Sequence, residues 1–192
     1  MPVVDGIQRS IYPPSLHEAS SLILERACIF PQGSLVALNL DKTVVGYCSS
    51  YPYPAEEALA RPPSLGTLDS YNLSRALSEP TKACLFIHEV SIYAQGMGIG
   101  KAMIRHLLSL AVSKKYSTVV LVSVLGNRAY YESFGFQVVR VLSSYSAEAA
   151  QGSSAAPPQP PLPPTASYFS EEKEAHVMQL FLSPATLSAS GR

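Results

Sequence analysis

Residues 87–108, IHEVSIYAQGMGIGKAMIRHLL, join two different hydrophobic patterns through a glycine-rich segment. The residues before the glycines alternate as in a strand, and those after them place apolar side chains at helical spacing. Glycine permits a positive φ and lets a ligand approach the main chain closely. The beginning of a helix carries unpaired N–H groups and partial positive charge. The stretch therefore predicts a strand over 82–92, an anion-binding turn, and a helix over 98–115.

Three phosphate-binding patterns can be compared with this turn. The Walker pattern G-x-x-x-x-G-K-[ST] fits Gly100 and Lys101, but Gln95 replaces its first glycine and Ala102 its Ser or Thr. The dinucleotide pattern G-x-G-x-x-G fails in either register because its last place holds no glycine. The pattern [QR]-x-x-G-x-[GA] is matched in full by Gln95, Gly98 and Gly100.

The remaining periodicity predicts a mixed α/β protein. TVVLVSV, residues 118–124, is an apolar strand, and the helix before it predicts that it runs parallel to the strand over 82–92. Residues 51–69 are rich in proline and predict a loop, and VVDGIQRSIY (3–12) is a poor strand. The other predicted elements are a helix over 14–30, a hairpin of strands over 34–40 and 43–51, a short helix in NRAYYESF (127–134), and strands over 136–142 and 174–182.

Composition narrows the functional classes. Lys plus Arg and Asp plus Glu both number 14, so net charge gives no reason to propose a nucleic-acid partner. Cys28, Cys48 and Cys84 lie far apart, which favours neither a disulfide framework nor a metal site and fits a reducing compartment. The first residues lack a signal pattern. No apolar run approaches the roughly 18 residues that span a bilayer. We expect a soluble, cytoplasmic protein without a membrane or metal partner.

One segment differs from the rest in composition. Residues 143–167 are mostly Ser, Ala and Pro, which cannot bury enough apolar surface to offset the entropy of ordering. We expect a single domain over 1–192 with a disordered insertion at 143–167 before the last strand. The run PPQPPLPP (157–164) is either a tolerated loop or a proline-rich ligand for a protein partner.

Two separate motifs resemble one family. IHEVSIYAQGMGIG (87–100) and GNRAYYESFGF (126–136) resemble, in order and spacing, the two signatures of the GNAT superfamily of N-acetyltransferases. The resemblance implies a single domain with a mixed, mostly antiparallel sheet, flanked by helices and splayed at the acetyl-CoA site. Within the superfamily, HEVSI (88–92) is similar to arylalkylamine N-acetyltransferases.

The resemblance also implies how acetyl-CoA is held. Backbone N–H groups of the glycine turn hold the pyrophosphate, and the pantetheine arm pairs with the preceding strand, where an N–H near Val90 polarises the thioester carbonyl. The residues implied in binding are Val90, Ser91, Ile92, Gln95, Gly96, Met97, Gly98, Ile99, Gly100, Lys101, Asn127 and Tyr131. Asn127 is equally well placed as the N-cap of a short helix.

Acyl transfer to an amine needs an acid for the thiolate and a base for the amine. Tyr131 occupies the position where the family places a hydroxyl near the sulfur, so we predict it as the acid. Strand alternation places Phe86, His88, Val90 and Ile92 on one face. Of these, His88 is the candidate base, or else a packed structural histidine. Glu89 is a lesser candidate, because alternation sends it to the other face unless a bulge rotates it.

The sequence thus predicts an enzyme that moves acetyl from acetyl-CoA to a primary amine by direct attack in a ternary complex. The expected acceptor is a small arylalkylamine or polyamine, and the alternative is a protein N-terminus or lysine. A CoA-binding regulatory module without catalysis stays open, because apolar Phe86 occupies a position where related enzymes place an acid–base residue. Residues Tyr51, Tyr53, Glu56 and Glu57 suit an amine cation or form an ordinary acidic loop.

Overall fold

The computed structural model describes residues 2–142 and 174–182, and the strands in this part of the chain form one mixed sheet. The strands are β1 (Ser34–Leu38), β2 (Val44–Pro54), β3 (Ala83–Ile92), β4 (Thr118–Ser123), β5 (Gln137–Leu142) and β6 (Ala175–Phe181). The helices are α1 (Pro2–Ile11), α2 (Ser20–Ile29), α3 (Ala55–Ala60), α4 (Ser70–Ser78), α5 (Ile99–Ser113) and α6 (Arg128–Glu132).

The sheet has the order β1-β2-β3-β4-β6-β5. Only β3 and β4 pair in parallel, and the other four neighbouring pairs are antiparallel. The parallel pair is joined through α5, since parallel neighbours need a crossover connection. The predicted fold class, a mixed and mostly antiparallel sheet flanked by helices, is confirmed. The hairpin, the parallel pair and the last strand are confirmed with it.

The structure adds one helix and shortens another. Residues 3–12, which the sequence marks as a poor strand, lie mostly in a helix, α1, because Val4 and Ile7 recur at helical spacing and pack with Ile23 and Tyr47. The helix predicted over 14–30 begins only at Ser20. Before it, the backbone of His17 is extended.

The predicted loop over 51–69 contains ordered structure as well. Strand β2 continues to Pro54, and α3 follows directly. Prolines are tolerated there because β1 pairs with β2 only as far as Ser49, so Pro52 and Pro54 lie where no β1 carbonyl needs a donor. Helix α4 was not predicted; its N-cap Asp69 accepts a hydrogen bond from the Asn72 N–H.

Strands β3 and β4 separate beyond a short paired region. They pair at Leu85–Val119, Phe86–Val120 and Ile87–Leu121, whereas β3 continues to Ile92. Beyond Ile87, the edge of β3 that faces β4 has no strand paired to it within the described part of the chain. The sheet is therefore splayed between these strands, as predicted, and the opening lies just before the glycine turn.

The buried core lies on both sides of the central strands. Its largest members include Phe86, Leu107, Leu121 and Met178, all fully buried. Within residues 2–142 and 174–182, no helix is long and apolar enough to cross a membrane. The predicted insertion at 143–167 lies outside the described residues, so its prediction stays untested.

Candidate active site

A β-bulge in β3 determines which side chains reach the site. Ser49 of β2 pairs with Glu89 and Ser50 pairs with Ile87, so His88 is an extra residue in β3. A bulge shifts the alternation of the residues that follow it. Paired residues share a face, and the pair Tyr51–Phe86 lies before the bulge on the same face as Ser49–Glu89 after it. The bulge therefore brings Glu89 to the face that carries Phe86.

The predicted alternation was consequently wrong beyond His88. His88 stays on the face of Phe86, since its ring lies 5.6 Å from the Tyr51 ring and 6.1 Å from the Phe86 ring. Ser91 pairs with Tyr47 and joins Glu89 on this face. Val90 and Ile92, predicted to lie beside His88, point to the opposite face. Two consecutive polar side chains, His88 and Glu89, thus reach one side of the sheet.

Different helices cover the two faces. Tyr47 packs with Val4 and Ile7 of α1 and Ile23 of α2, so these helices cover the face with His88 and Glu89. On the other face, Ile92 lies near the beginning of α5, because a Cβ at Gly100 would be 3.6 Å from the Ile92 side chain. The glycine turn and the polar side chains therefore approach the same opening from opposite faces.

A buried ionic cluster joins α2 to the bulge. Glu18 binds the Arg26 guanidinium through both carboxylate oxygens at 2.8 Å, and it accepts a 2.6 Å hydrogen bond from the Gly66 N–H. Its Oε2 also lies 2.6 Å from Nε2 of His88. Burial opposes ionisation of Glu18, but the charges and hydrogen bonds of His88 and Arg26 outweigh it and lower the pKa of this carboxyl.

Both ring nitrogens of His88 are engaged in this cluster. A carboxylate only accepts, so Nε2 donates to Glu18, and Nδ1 lies 3.0 Å from the Tyr51 hydroxyl. The side chain is fully buried, and Arg26 already balances the charge of Glu18. Burial lowers the pKa of His88, which keeps the ring neutral near pH 7. His88 as a whole is partly exposed, although its side chain is fully buried. The exposed atoms therefore belong to its backbone, at the point where β3 and β4 separate.

Glu89 belongs to a second polar cluster on the same face. Its Oε1 accepts hydrogen bonds from the Tyr47 hydroxyl at 2.5 Å and from Ser91 Oγ at 2.7 Å. Ser91 Oγ also lies 3.1 Å from the Tyr12 hydroxyl, which is 3.4 Å from the Val90 carbonyl. The other oxygen, Oε2, is buried without a hydrogen-bond partner in the described structure. Burial raises the pKa of Glu89 to about 7.

A small cavity lies where β3 and β4 begin to separate. Its walls come from both separating strands and from the segments above them: Tyr12, Leu16, Glu18, Leu65, His88, Glu89, Val122 and Val124. The cavity therefore has acidic, aromatic and aliphatic walls, and it lies at the end of the opening where β3 and β4 begin to separate.

The glycine turn has the conformation that the sequence predicts. Gly96 and Gly98 have φ values of 78° and 75°, in the left-handed region that favours glycine. A Cβ at either position would meet no atom within 4 Å, so the turn faces open space. Gly98 is the N-cap of α5 and provides no side-chain cap. The first N–H groups of α5 are therefore available to an anion. Gln95, Met97 and Lys101 are exposed around it.

The motif of α6 contributes aromatic side chains beside the opening. Burial raises the pKa of Tyr131, and electrostatic contributions from Tyr130 and Glu89 raise it further. The Tyr131 ring packs edge-on against the rings of Tyr130 and Phe136. Tyr130 reaches the glycine turn, since its hydroxyl lies 2.8 Å from where a Cβ of Gly100 would be. Asn127 is the N-cap of α6, but its side chain donates to the Val124 carbonyl and makes no cap hydrogen bond.

Two of the residues predicted to suit an amine cation lie in the buried core. Tyr51 and Tyr53 are buried in β2 and pack on Phe86, and Tyr53 donates to Asp69. Within residues 2–142 and 174–182, no group of three or more His, Cys, Asp or Glu could hold a metal ion.

The rest of the site has only weak signals in the sequence. Glu18 and Arg26 occur eight residues apart in the segment predicted as one helix over 14–30, and this spacing gives no sign that they pair. Tyr12 and Tyr47 lie in segments read for their apolar pattern. A buried Arg–Glu pair needs long-range contacts, here the Gly66 N–H and His88, and sequence spacing does not reveal them.

Comparison with solved structures finds the same fold in several proteins. Chaetomium thermophilum Naa20 in complex with a bisubstrate analogue is 17% identical, with a TM-score of 0.60 over 97% of this chain and 84% of that one. Arabidopsis thaliana Naa50 in complex with the analogue CoA-Ac-MVNAL is 13% identical, with a TM-score of 0.57 over 93% and 90%. The loading GNATL domain of CurA from Lyngbya majuscula is 12% identical, with a TM-score of 0.62 over 94% and 92%.

The family comparison covers most of the residues that the structure describes. No curated protein matches the sequence. A family model does match, over residues 3–136, which include the bulged strand, the glycine turn and Tyr131. Its description is the acetyltransferase (GNAT) family, in agreement with the motifs at 87–100 and 126–136. The chain belongs to the GNAT acetyltransferase family.

Proposed function

We propose that this protein transfers acetyl from acetyl-CoA to a primary amine by direct attack in a ternary complex. One observation carries the proposal: the open glycine turn at the start of α5 and the polar cavity lie at the two ends of a single splay between β3 and β4. A ligand with a pyrophosphate at one end and a thioester at the other can occupy both places at once.

The residues at the splay fit acetyl-CoA. The positive-φ glycines leave room for phosphate oxygens beside the first N–H groups of α5, which bind anions. The pantetheine arm carries amides and can pair with the open edge of β3 over Val90–Ile92, as an added strand does. Its thioester then reaches the cavity lined by His88 and Glu89. A main-chain N–H near Val90 would stabilise the oxyanion, a contribution of roughly 3 kcal/mol.

Tyr131 is our candidate for the acid that protonates the leaving thiolate. Its raised pKa keeps the phenol protonated at neutral pH, and α6, the helix that carries it, directly follows β4 in the chain. His88 remains the base that the motif suggests. Its two ring nitrogens are bonded to Glu18 and Tyr51, so a catalytic His88 must exchange one of these partners for the amine.

Two acceptor classes have support. A small arylalkylamine suits a cavity bounded by Tyr12, Leu16 and Leu65, with the Glu89 carboxylate for its ammonium group. A protein N-terminus is the second candidate, because Naa20 and Naa50, whose folds are similar, were solved with bisubstrate analogues, that of Naa50 carrying the peptide MVNAL.

Release of free CoA thiol tests the proposal. The acceptor panel contains phenethylamine, spermidine, free lysine and a short peptide with a free α-amine. We expect acceptor-dependent thiol release and an acetylated product detectable by mass spectrometry. Acetyl-CoA binding without thiol release for any acceptor would contradict catalysis and favour a regulatory CoA-binding module.

A further inference from the structure

We propose that Glu89 is the general base that deprotonates the acceptor amine. This inference rests on the proposed acetyl transfer and assigns to Glu89 the role that the motif suggests for His88. Three independent features of the structure support it: the position of the bulge, the unequal bonding of the two carboxylate oxygens, and the location of the cavity.

The bulge moves Glu89 into the site. Without the extra residue His88, alternation would send the Glu89 side chain to the face of α5. With it, Glu89 lies on the same face as Tyr47 and lines the cavity between the separating strands. The chain therefore uses a local departure from regular strand geometry to place a carboxylate beside the opening.

The two oxygens of Glu89 have different surroundings. Oε1 accepts from both the Tyr47 hydroxyl and Ser91 Oγ, which fixes the orientation of the carboxylate. Oε2 is buried with no partner in the described structure. Buried polar atoms are nearly always hydrogen-bonded, and an exception needs an explanation. A role as proton acceptor explains this exception, because the ammonium group of the acceptor would be the missing hydrogen-bond donor. Both ring nitrogens of His88, by contrast, already have partners.

The groups around Glu89 set its basicity. Several elements contribute titratable or charged groups around Glu89. The groups are Tyr12 after α1, Glu18 and Arg26 at α2, Tyr47 of β2, Tyr131 of α6, and His88 and Ser91 of β3 itself. Burial raises the carboxyl pKa, the Glu18 charge adds to this, and the Tyr47 and Ser91 hydrogen bonds and Arg26 oppose it. The result, about 7, suits a base that works near neutral pH.

The reaction balances with this assignment. Glu89 Oε2 takes one proton from the ammonium, and the nitrogen lone pair then attacks the thioester carbonyl carbon. The C–S bond breaks with its electron pair on sulfur, and the Tyr131 hydroxyl gives its proton to the thiolate. The second proton lost from nitrogen as the amide forms returns to Tyr131. The proton on Glu89 passes to solvent, so the net products are amide, CoA thiol and one proton.

The variant Glu89→Gln tests the role, because it keeps the shape and removes the base. We expect kcat/KM to fall by about 10²- to 10⁴-fold, with acetyl-CoA affinity by calorimetry unchanged. The acidic limb of the kcat/KM profile near pH 7 should disappear. The loss should be smaller for β,β-difluorophenethylamine than for phenethylamine, since the fluorines lower the amine pKa and reduce the need for a base. Glu25→Gln, which neutralises an exposed surface carboxylate, is the matched control.

Stability gives a readout that does not depend on turnover. The folded pKa of Glu89 lies above its unfolded value, so the wild type loses stability as pH rises from about 4.5 to 7. Gln carries no charge and avoids this loss. The Tm of Glu89→Gln should therefore exceed that of the wild type at pH 8, and the difference should vanish near pH 4. An equal Tm difference at both pH values would overturn the assigned environment of Glu89.

A second variant keeps the carboxylate. Tyr47→Phe removes a hydrogen bond that favours the ionised form, so the acidic limb should move to higher pH while turnover persists. An unmoved limb in Tyr47→Phe, or a wild-type rate and profile in Glu89→Gln, would overturn the role of Glu89 while leaving acetyl transfer intact. Wild-type enzyme inactive with every acceptor would overturn the proposed function and the role of Glu89 together.

Discussion

At the scale of single residues, His88 is either the catalytic base or a structural residue, and truncation of its side chain distinguishes the two roles. Its side chain is fully buried between Glu18 and Tyr51, so His88→Ala removes a buried hydrogen bond from each of these groups and opens a cavity. We expect the free energy of unfolding to fall by about 2–5 kcal/mol. Denaturant titration measures it, with exposed His106→Ala as the control.

The pH profile completes this test. If His88 supports the fold, the remaining activity of His88→Ala should keep the acidic limb at the wild-type pH. Loss of the limb with unchanged stability would instead identify His88 as the base, as the motif suggests, and would contradict the role assigned to Glu89.

Tyr131 is tested by removal of one hydroxyl. Tyr131→Phe keeps the ring that packs against Tyr130 and Phe136 and removes the proton for the thiolate. We expect kcat to fall by roughly 10²-fold with little change in the KM for acetyl-CoA, because only a transition-state interaction is lost. Exposed Tyr71→Phe is the matched control. Full turnover under conditions where chemistry limits the rate would show that another group protonates the thiolate.

Glu18 predicts a pH dependence of opposite sign to that of Glu89. Its folded pKa is lowered, so its stabilisation is present above the unfolded pKa of about 4.3 and is lost as the pH falls further. Glu18→Gln should cost about 3–5 kcal/mol near pH 7, because Arg26 is left buried without its partner. Thermal unfolding across pH should show the difference from wild type shrinking below about pH 4. A constant difference would contradict the ionised state of Glu18.

At the scale of elements, the turn between β3 and α5 gives the sharpest test of CoA binding. Gly98 has a positive φ, and a Cβ there would meet only open space. Gly98→Asp should therefore leave the fold intact and abolish acetyl-CoA binding, since it places a negative charge where phosphates bind. Gly98→Asn, which is neutral, similar in size and tolerant of positive φ, should retain partial affinity. Near-normal affinity of Gly98→Asp in calorimetry would contradict the assigned site.

The same elements show which parts of the fold can be predicted from the sequence. Gln95, Gly98 and Gly100 predict the turn and α5, because local spacing and glycine conformation decide both. Helices α1 and α4 escape prediction: α1 is short, with Val4 and Ile7 as its buried contacts, and α4 follows a proline-rich stretch. The bulge at His88 escapes as well, since it depends on the pairing of Ser49 and Ser50 in another strand.

The candidate site also has one part that local sequence predicts and another that depends on contacts between distant segments. Tyr131 and the glycine turn lie in motifs that the sequence displays. Glu89 changes face because of the bulge, and Glu18 and Arg26 enter through contacts that join distant segments. Sequence therefore predicts the CoA-binding part of the site better than the part that handles the amine proton.

At the scale of the whole molecule, the composition of residues 143–167 yields a separate prediction. Ser, Ala and Pro offer little apolar surface for packing. Deletion of 146–166 should leave Tm and turnover nearly unchanged, as measured by thermal unfolding and thiol release. A large fall in either quantity would show that the segment packs on the domain.

The most direct test of the whole account follows the acetyl group itself. The enzyme is mixed with acetyl-CoA labelled with ¹³C in its acetyl group and with the best acceptor, and carbon NMR follows the label over a single turnover. We predict that the label moves from the thioester to an amide of the acceptor, with one free CoA thiol per amide and no labelled protein intermediate. Label that remains in the thioester, or that appears as acetate, would contradict acetyl transfer to an amine.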